Sequence, residues 1–282
     1  MSAHGQFAKQ LGTCLATASD ALVSVFYPAG CSLCEQLLTR ATRVPICEEC
    51  LASFAALPPE VCEICGSPLA ALFSAPVSNG RAPESASPDA QHGNLPGCIA
   101  CQGRTYAFER VRSYAAYEGR LIRAILLLKF ERIEPLAGWF ATRIAGVAKR
   151  DGLAADVVVS VPLHRQRERE RGYNQADLIA RPLARRLSLP YRPVLLMRTK
   201  PRPDKHILSI SERWESARCA FATRQGSQVD NLRVLLVDDV MTTGATLDAC
   251  AKALRQAGAK SVIGLTVARA IRHPATGSSG DF

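Results

Sequence analysis

Hydrophobic residues in the carboxyl-terminal half of the chain form short continuous runs that alternate with runs at helical spacing. Val234 to Val237 are a continuous apolar run, which predicts a short buried strand ending at Asp238 and Asp239. Apolar residues then recur at helical spacing until Gly258, namely Leu247, Cys250, Leu254 and Ala257. Val262 to Val267 predicts another buried strand. The pattern indicates a strand, loop, helix and strand in a parallel sheet.

The same alternation continues upstream of this unit. Tyr106 to Tyr117 predicts a strand or hairpin, and Glu118 to Ala148 predicts two helices that are separated at Pro135. Val157 to Val161 predicts a second strand, Leu195 to Met197 a short one, and a helix is expected to begin near Asn174. We therefore predict an α/β domain over residues 105–272, with a Rossmann-like parallel sheet and flanking helices.

The two ends of the chain are predicted to lie outside this domain. Residues 1–28 carry apolar side chains at helical spacing together with Lys9 and Asp20, so we expect a packed helix rather than a signal peptide. Residues 273–282 are expected to form a tail. No stretch approaches 18 uncharged apolar residues, so we expect a soluble, cytoplasmic protein without membrane insertion.

A cysteine-rich module is predicted over residues 29–104. Eight of the eleven cysteines form four C-x-x-C pairs: Cys31 with Cys34, Cys47 with Cys50, Cys62 with Cys65, and Cys98 with Cys101. Two such pairs complete a tetrahedral Zn²⁺ site, so eight ligands predict two structural zinc ions. Consecutive and crossed pairings fit equally well. Residues 74–97 are rich in Pro, Ser, Gly and Ala, which is typical of a flexible insertion.

Positive charge is concentrated in one segment of the chain. The net charge is +10, which favours anionic partners such as phosphosugars, nucleic acid or acidic membrane surfaces without choosing among them. Four arginines alternate with other residues directly after the predicted strand Val157 to Val161: Arg165, Arg167, Arg169 and Arg171. They lie on one side if the segment is extended, and are spread around it if it is helical. Arginine binds diphosphates bidentately, so this turn is a candidate pyrophosphate or nucleic-acid site.

The residues after Val237 predict a site for a phosphorylated sugar. Asp238 and Asp239 are acceptors for two vicinal hydroxyls or for hydrated Mg²⁺. The next loop leads into a helix N-terminus, which favours a phosphate group, and it offers small and hydroxyl residues: Thr242, Thr243, Gly244, Ala245 and Thr246. The combination suits ribose 5-phosphate.

The run from Val234 to Thr246, VLLVDDVMTTGAT, resembles the phosphoribosyl pyrophosphate (PRPP) loop of type I phosphoribosyltransferases. Together with the cysteine pairs, the whole chain resembles the ComF family, in which a zinc module precedes a type I phosphoribosyltransferase domain. The matching landmarks are YEG, KF, VPLH, RERGYNQ and LSxxER, between Tyr117 and Arg213. Lys205 and Ser216 depart from the family pattern, where Gln and Asn are usual.

The resemblance implies binding of PRPP with Mg²⁺ and a link to single-stranded DNA handling in natural competence, with other competence or DNA-processing proteins as partners. As an enzyme, the protein would transfer a phosphoribosyl group. Asp238 and Asp239 would hold the ribose, Thr242 to Thr246 its phosphate, and Arg165 to Arg171 the leaving pyrophosphate. Alternatively, it binds nucleic acid or senses PRPP without turnover. No acceptor substrate is indicated by the residues.

Overall fold

The computed structural model describes residues 30–38, 42–69, 98, 100–201, 209–224 and 229–271. The predicted N-terminal helix, the insertion at 74–97, Lys205 and the tail lie outside the described residues. The helices are α1 Glu48–Ala52, α2 Gly119–Phe130, α3 Pro135–Arg150, α4 Arg165–Arg171, α5 Gln175–Leu187, α6 Ile210–Ala217 and α7 Ala245–Gln256. The strands are β1 Arg110–Ala116, β2 Val157–Ser160, β3 Leu196–Arg198, β4 Phe221–Thr223, β5 Arg233–Met241 and β6 Ser261–Arg269.

Four of these strands form a parallel sheet in the order β1-β6-β5-β2, and β3 and β4 pair antiparallel beside it. Side chains on β5 alternate between two cores. Leu235 and Val237 lie in the core formed with α2, α3 and α5, whereas Val234 and Leu236 lie in the core formed with α7. The result is the three-layer arrangement that both faces of a parallel sheet require.

The two helices predicted on either side of Pro135 are present as α2 and α3. Pro135 occupies the first turn of α3, where its missing N–H leaves no hydrogen bond unmade. Leu136, Phe140 and Ile144 are buried at a spacing of four residues, so one face of α3 lies against the sheet.

One strand differs from the sequence prediction, and the helix α6 has no counterpart in it. β5 does not end at Val237 but continues to Met241, because its pairing with β6 extends from Arg233 opposite Ser261 to Met241 opposite Arg269. The segment before Cys219, which has little periodicity, nevertheless contains α6. Ser209 and Glu212 form a capping box that starts this helix.

The cysteine-rich part covers the free edge of β1. Leu57 N–H donates to Tyr114 O at 2.9 Å, and Val111 N–H donates to Ile64 O at 2.8 Å. Gly66 has a φ of +66°, and a Cβ there would lie 2.7 Å from Val111 O, so glycine is required for this close approach. These contacts satisfy backbone groups that an edge strand leaves unpaired.

Candidate functional site

The loop between β5 and α7 lies at the carboxyl edge of the parallel sheet. Gly244 caps α7 with a φ of +85°, and a Cβ at this position would lie 2.9 Å from Met241 Cε. Glycine thus permits the sharp turn that starts the helix. The N–H groups of the first turn of a helix have no intrahelical acceptors and carry partial positive charge. Thr246 lies in that turn, so the loop and helix together offer donors to an anion.

Asp239 is held by a lysine from the neighbouring helix. Alternation along β5 places Asp239 on the same face as Leu235 and Val237, where α2 packs. Lys129 Nζ lies 2.8 Å from Asp239 Oδ2, and only 7% of the Asp239 side chain is exposed. Asp238 precedes it and accepts a hydrogen bond from Asp239 N–H at 2.9 Å. The two carboxylates are therefore adjacent but differently paired.

This pairing separates the proton affinities of the two carboxylates. Burial and the neighbouring charge of Asp239 raise the pKa of Asp238 to about 8. Burial alone would raise the pKa of Asp239 as well, but the Lys129 ammonium outweighs it and lowers that pKa. At neutral pH Asp239 is ionised, whereas Asp238 readily carries a proton.

Three side chains restrain the loop and the segments next to it. Arg213 Nη1 donates to Thr242 Oγ1 at 3.3 Å, and Arg269 Nη1 donates to Thr242 O. Behind the loop, Ala107 N–H donates to Asp248 Oδ1 at 2.7 Å, and Asp248 is almost completely buried. A loop held in this way loses little conformational entropy when a ligand binds.

The arginine segment after β2 is the helix α4. Residues four apart share a helix face, so Arg165 and Arg169 lie on one side and Arg167 and Arg171 on the other. The extended alternative is wrong, since the seven-residue helix is closed by Gly172 in the left-handed conformation. Arg165 lines a cavity of about 470 Å³ at the end of β2, together with His164 and Arg198.

The residues following α4 anchor it to the domain. Tyr173 OH donates to Leu128 O of α2 at 2.6 Å. Asn174 caps α5 through Ala176 N–H at 3.0 Å, and its Nδ2 donates to Val161 O at 3.0 Å. Arg171 Nη1 donates to Gln175 Oε1 at 2.6 Å. The sequence RGYNQ thus fixes the arginine helix beside the carboxyl end of β2.

The eight cysteines of the four pairs form two clusters by consecutive pairing. Cys31, Cys34, Cys47 and Cys50 form the first cluster, and Cys62, Cys65, Cys98 and Cys101 form the second. Sulfur atoms are 3.8 Å apart in Cys31–Cys50 and 3.7 Å apart in Cys65–Cys98. A tetrahedron with Zn–S bonds of about 2.3 Å has edges of about 3.8 Å, so both clusters fit zinc. The crossed pairing is excluded.

The proton affinities of the thiols are consistent with sites for a cation. In the first cluster, burial and the neighbouring thiols raise the pKa of Cys50. Burial also disfavours the Cys31 thiolate, but backbone N–H donors, first that of Cys47, lower its pKa to about 6. In the second cluster, the hydrogen bond between Cys62 and Cys101 lowers the pKa of Cys62 and raises that of Cys101. A divalent cation would allow all four thiols of a cluster to ionise together.

The structure brings the phosphate loop, both aspartates and the end of β2 to one edge of the sheet. Sequence reasoning identified Lys129 only as a landmark and gave no role to Arg269. The sequence does contain a signal for Lys129, because a cation next to the apolar residues of α2 indicates a buried lysine with an acidic partner. No periodicity could indicate that Arg269, at the end of β6, contacts both the loop and Cys65.

Two family models match separate parts of the chain. A phosphoribosyl transferase domain matches residues 176–277, and a double zinc ribbon domain matches residues 22–82. The fold is therefore that of a type I phosphoribosyltransferase, with a parallel sheet, preceded by a double zinc ribbon. The chain is thus a protein with a zinc ribbon and a phosphoribosyltransferase domain.

Curated relatives cover between 40% and 72% of the chain. The chain is 30% identical over 217 residues to the DNA utilization protein YhgH of Escherichia coli O157:H7, covering 72% of this chain and 94% of that protein. It is 36% identical over 116 residues to competence protein F of Haemophilus influenzae, covering 41% and 51%. It is 37% identical over 114 residues to competence protein ComFC of Bacillus subtilis, covering 40% and 44%. The chain belongs to the ComF family.

Solved phosphoribosyltransferases are more distant. Glutamine PRPP amidotransferase of B. subtilis, complexed with ADP and GMP, is 23% identical, with a TM-score of 0.33 over 47% of this chain and 26% of that chain. Orotate phosphoribosyltransferase of Aeropyrum pernix is 22% identical, with a TM-score of 0.30 over 51% of this chain and 63% of that chain.

Among the described residues, no helix is both long enough and apolar enough to cross a membrane.

Proposed function

We propose that the protein binds PRPP with Mg²⁺ at the loop between β5 and α7. The observation that carries this proposal is the pairing of Asp239 with Lys129 at 2.8 Å, directly before the loop and the N-terminus of α7. An ionised Asp239 and its neighbour Asp238 accept the two ribose hydroxyls, while Thr242 to Thr246 bind the 5′-phosphate.

The pyrophosphate group of PRPP is assigned to the end of β2. Arg165 and His164 line the cavity there, and Arg165 can form bidentate contacts with phosphate oxygens. When bound, Mg²⁺ supplies charge neutralisation to the pyrophosphate, and carboxylate oxygens such as those of Asp238 are ligands that it accepts.

Calorimetric titration with PRPP and Mg²⁺ tests this assignment. Replacing both acceptors, Asp238→Asn with Asp239→Asn, removes charge-assisted hydrogen bonds and should weaken binding by about tenfold to a hundredfold. Asp156→Asn is the matched control, because Asp156 pairs with Arg233 at the opposite end of β5. Equal affinity in the double variant and the wild type would refute the proposed ribose site.

Whether the bound PRPP is turned over is decided by pyrophosphate release. The ribosyl cation that forms in phosphoribosyl transfer is stabilised by nearby carboxylates, which Asp238 and Asp239 supply. If the wild type releases pyrophosphate in the presence of a candidate acceptor and the double variant does not, the protein is an enzyme. Binding without release from any preparation supports a PRPP-sensing protein that keeps the site without turnover.

We also propose that α4 contributes to a surface for single-stranded DNA, in a cytoplasmic protein that acts in DNA uptake with other competence or DNA-processing proteins. This is motivated by the exposed arginines of α4, and the names of the relatives refer to competence and DNA utilization. An arginine surface binds phosphates with an affinity that falls with salt.

Binding of single-stranded DNA at several salt concentrations tests the surface. Arg167→Ala with Arg169→Ala should reduce the salt slope by about 0.7 for each phosphate that the variant no longer neutralises. The control replaces Arg185 and Arg186, which are exposed in the last turn of α5. A slope that is unchanged in the α4 variant removes this helix from the DNA surface.

A further inference from the structure

One buried arginine connects the second cysteine cluster with the phosphate loop. Arg269 lies at the end of β6 and only 7% of it is exposed. Its Nη2 donates to Cys65 Sγ at 3.5 Å, and its Nη1 donates to Thr242 O and, at 3.4 Å, to Met241 O. A single rigid guanidinium therefore contacts a cluster sulfur and the backbone that leads into the loop.

No other hydrogen bond within the described structure fixes this guanidinium. The third nitrogen of the group, Arg269 Nε, is buried and has no hydrogen-bond partner among the described residues. The position of the guanidinium consequently depends on the sulfur on one side and the two carbonyls on the other. Next to it lies a cavity of about 110 Å³, lined by residues of both parts, among them Cys98, Tyr106, Trp214 and Thr243.

The charge on the cluster decides how strongly it holds the arginine. Four thiolates with one Zn²⁺ carry a net charge of about −2, which compensates a buried guanidinium. Without the metal, nothing holds the four sulfur atoms in a tetrahedron, and the charge that compensates the buried guanidinium is no longer fixed beside it, which is unfavourable. Loss of the metal then removes the main reason for the guanidinium to remain between Cys65 and Thr242.

We propose that Arg269 couples metal binding at the second cysteine cluster to the conformation of the phosphate loop. With zinc bound, the guanidinium donates hydrogen bonds to the carbonyls of Met241 and Thr242 and maintains the loop conformation that binds a phosphate. Without zinc, the loop loses this restraint. Coupling of this kind is reciprocal, so a ligand in the loop also raises the affinity of the second cluster for zinc. The effect of this coupling on ligand affinity rests on the proposed PRPP site, whereas the effect of the coupling on the loop conformation does not.

The first test measures hydrogen exchange of the backbone amides of residues 240–246 in protein without ligand. Cys101→Ser disables the second cluster and should raise loop exchange about tenfold, while Cys34→Ser, in the first cluster, should leave it unchanged. Zinc content of each variant is measured by elemental analysis. Equal loop exchange in the wild type and in Cys101→Ser would overturn the proposal, whether or not PRPP binds.

The second test removes the link and keeps the metal. In zinc-saturated Arg269→Met, loop exchange should increase and PRPP affinity should fall by about fivefold or more, as for typical coupling between sites. Arg269→Lys keeps the charge but cannot span both partners, so it should behave like Arg269→Met. Wild-type loop exchange and PRPP affinity in both variants would refute the coupling.

Arg112→Met is the matched control for a buried arginine beside the same cluster. Arg112 Nη2 lies 2.6 Å from Oε2 of Glu63, a residue that stands between Cys62 and Cys65 in the sequence. The hydrogen bonds and ion pairs that Arg112 forms within the described structure do not reach the loop. This variant should release zinc faster but, while zinc is bound, keep the loop exchange of the wild type. If Arg112→Met with zinc bound loosens the loop as much as Arg269→Met, the effect is general destabilisation and the proposal fails. Absence of PRPP binding in the wild type would refute the proposed function and leave the exchange results to decide the coupling.

Discussion

The ion pair between Lys129 and Asp239 gives the sharpest prediction for the site. Lys129→Met leaves two adjacent carboxylates without their cation, in a place where 21% of the Lys129 side chain and 7% of the Asp239 side chain are exposed. Removing one partner of a buried pair typically costs about 3–5 kcal/mol. The destabilisation has an upper limit, because the unpaired carboxylate can bind a proton instead of remaining charged. Keeping a proton at pH 7 on a carboxylate with an ordinary pKa of about 4 costs about 4 kcal/mol. With partial exposure of the lysine, we expect the free energy of unfolding to fall by about 2–4 kcal/mol.

The pH dependence of this loss identifies its cause. In the variant, the folded-state pKa of the carboxylate pair is raised further, so folded protein binds about one proton more than the wild type. Stability that depends on a raised pKa is present at low pH and is lost as pH rises, by about 1.4 kcal/mol per unit for one proton. The cost of Lys129→Met should therefore be about 2 kcal/mol smaller at pH 6.5 than at pH 8, a difference that two urea denaturation series measure on zinc-saturated protein.

The control for this prediction is Arg123→Met on the same helix. Arg123 pairs with Glu131 at 3.6 Å, and both side chains are more than half exposed. Exposed pairs contribute about 0–1 kcal/mol, so this variant should remain close to the wild type at both pH values. A Lys129→Met variant that loses no more than the control, or whose loss is the same at pH 6.5 and 8, would refute the proposed role of Lys129.

The remaining predictions concern the zinc content, the protonation of Asp238 and the conformation of Gly244. Elemental analysis of reduced protein should find two zinc ions per chain and one in Cys101→Ser; no zinc in the wild type would reject both metal sites. Ribose 5-phosphate should bind about tenfold more tightly at pH 9 than at pH 7, because Asp238, with a pKa of about 8, must lose its proton to accept hydroxyls, and Asp238→Asn should show no such rise. Gly244 has a φ of +85°, and a Cβ there would clash with Met241, so Gly244→Ala should lower the free energy of unfolding by about 1–2 kcal/mol in urea denaturation. Gly138 in α3 has open space around it, so Gly138→Ala should raise the free energy of unfolding by about 0.5–1 kcal/mol. Similar effects of the two substitutions would contradict the constraint on the loop.

The fold was predictable where the hydrophobic pattern has a single interpretation. The apolar runs at Val157 to Val161 and Val262 to Val267 correspond to β2 and β6, and the break at Pro135 separates α2 from α3. The end of β5 was not predictable in this way, because strand pairing with β6 continues through two charged residues that the pattern treats as a terminus. Local sequence carries no information about the length of a neighbouring strand.

The part of the candidate site that is contiguous in sequence could be located from the sequence alone. Asp238, Asp239 and the following loop are within a few residues of each other, so their proximity was assured. Lys129 and Arg269 reach the same place from α2 and β6, and only the tertiary fold brings them there. The pairing of the cysteines was also undetermined in sequence, because four equivalent pairs fit both arrangements until the edge of β1 positions them.

Binding of PRPP is the claim on which the proposed function depends most directly. Calorimetric titration of zinc-saturated protein with PRPP and Mg²⁺ should give one site per chain, and that site should be lost or greatly weakened when Asp238 and Asp239 are both replaced by Asn. Absence of binding by the wild-type protein, or binding that the double replacement leaves unchanged, would contradict the account.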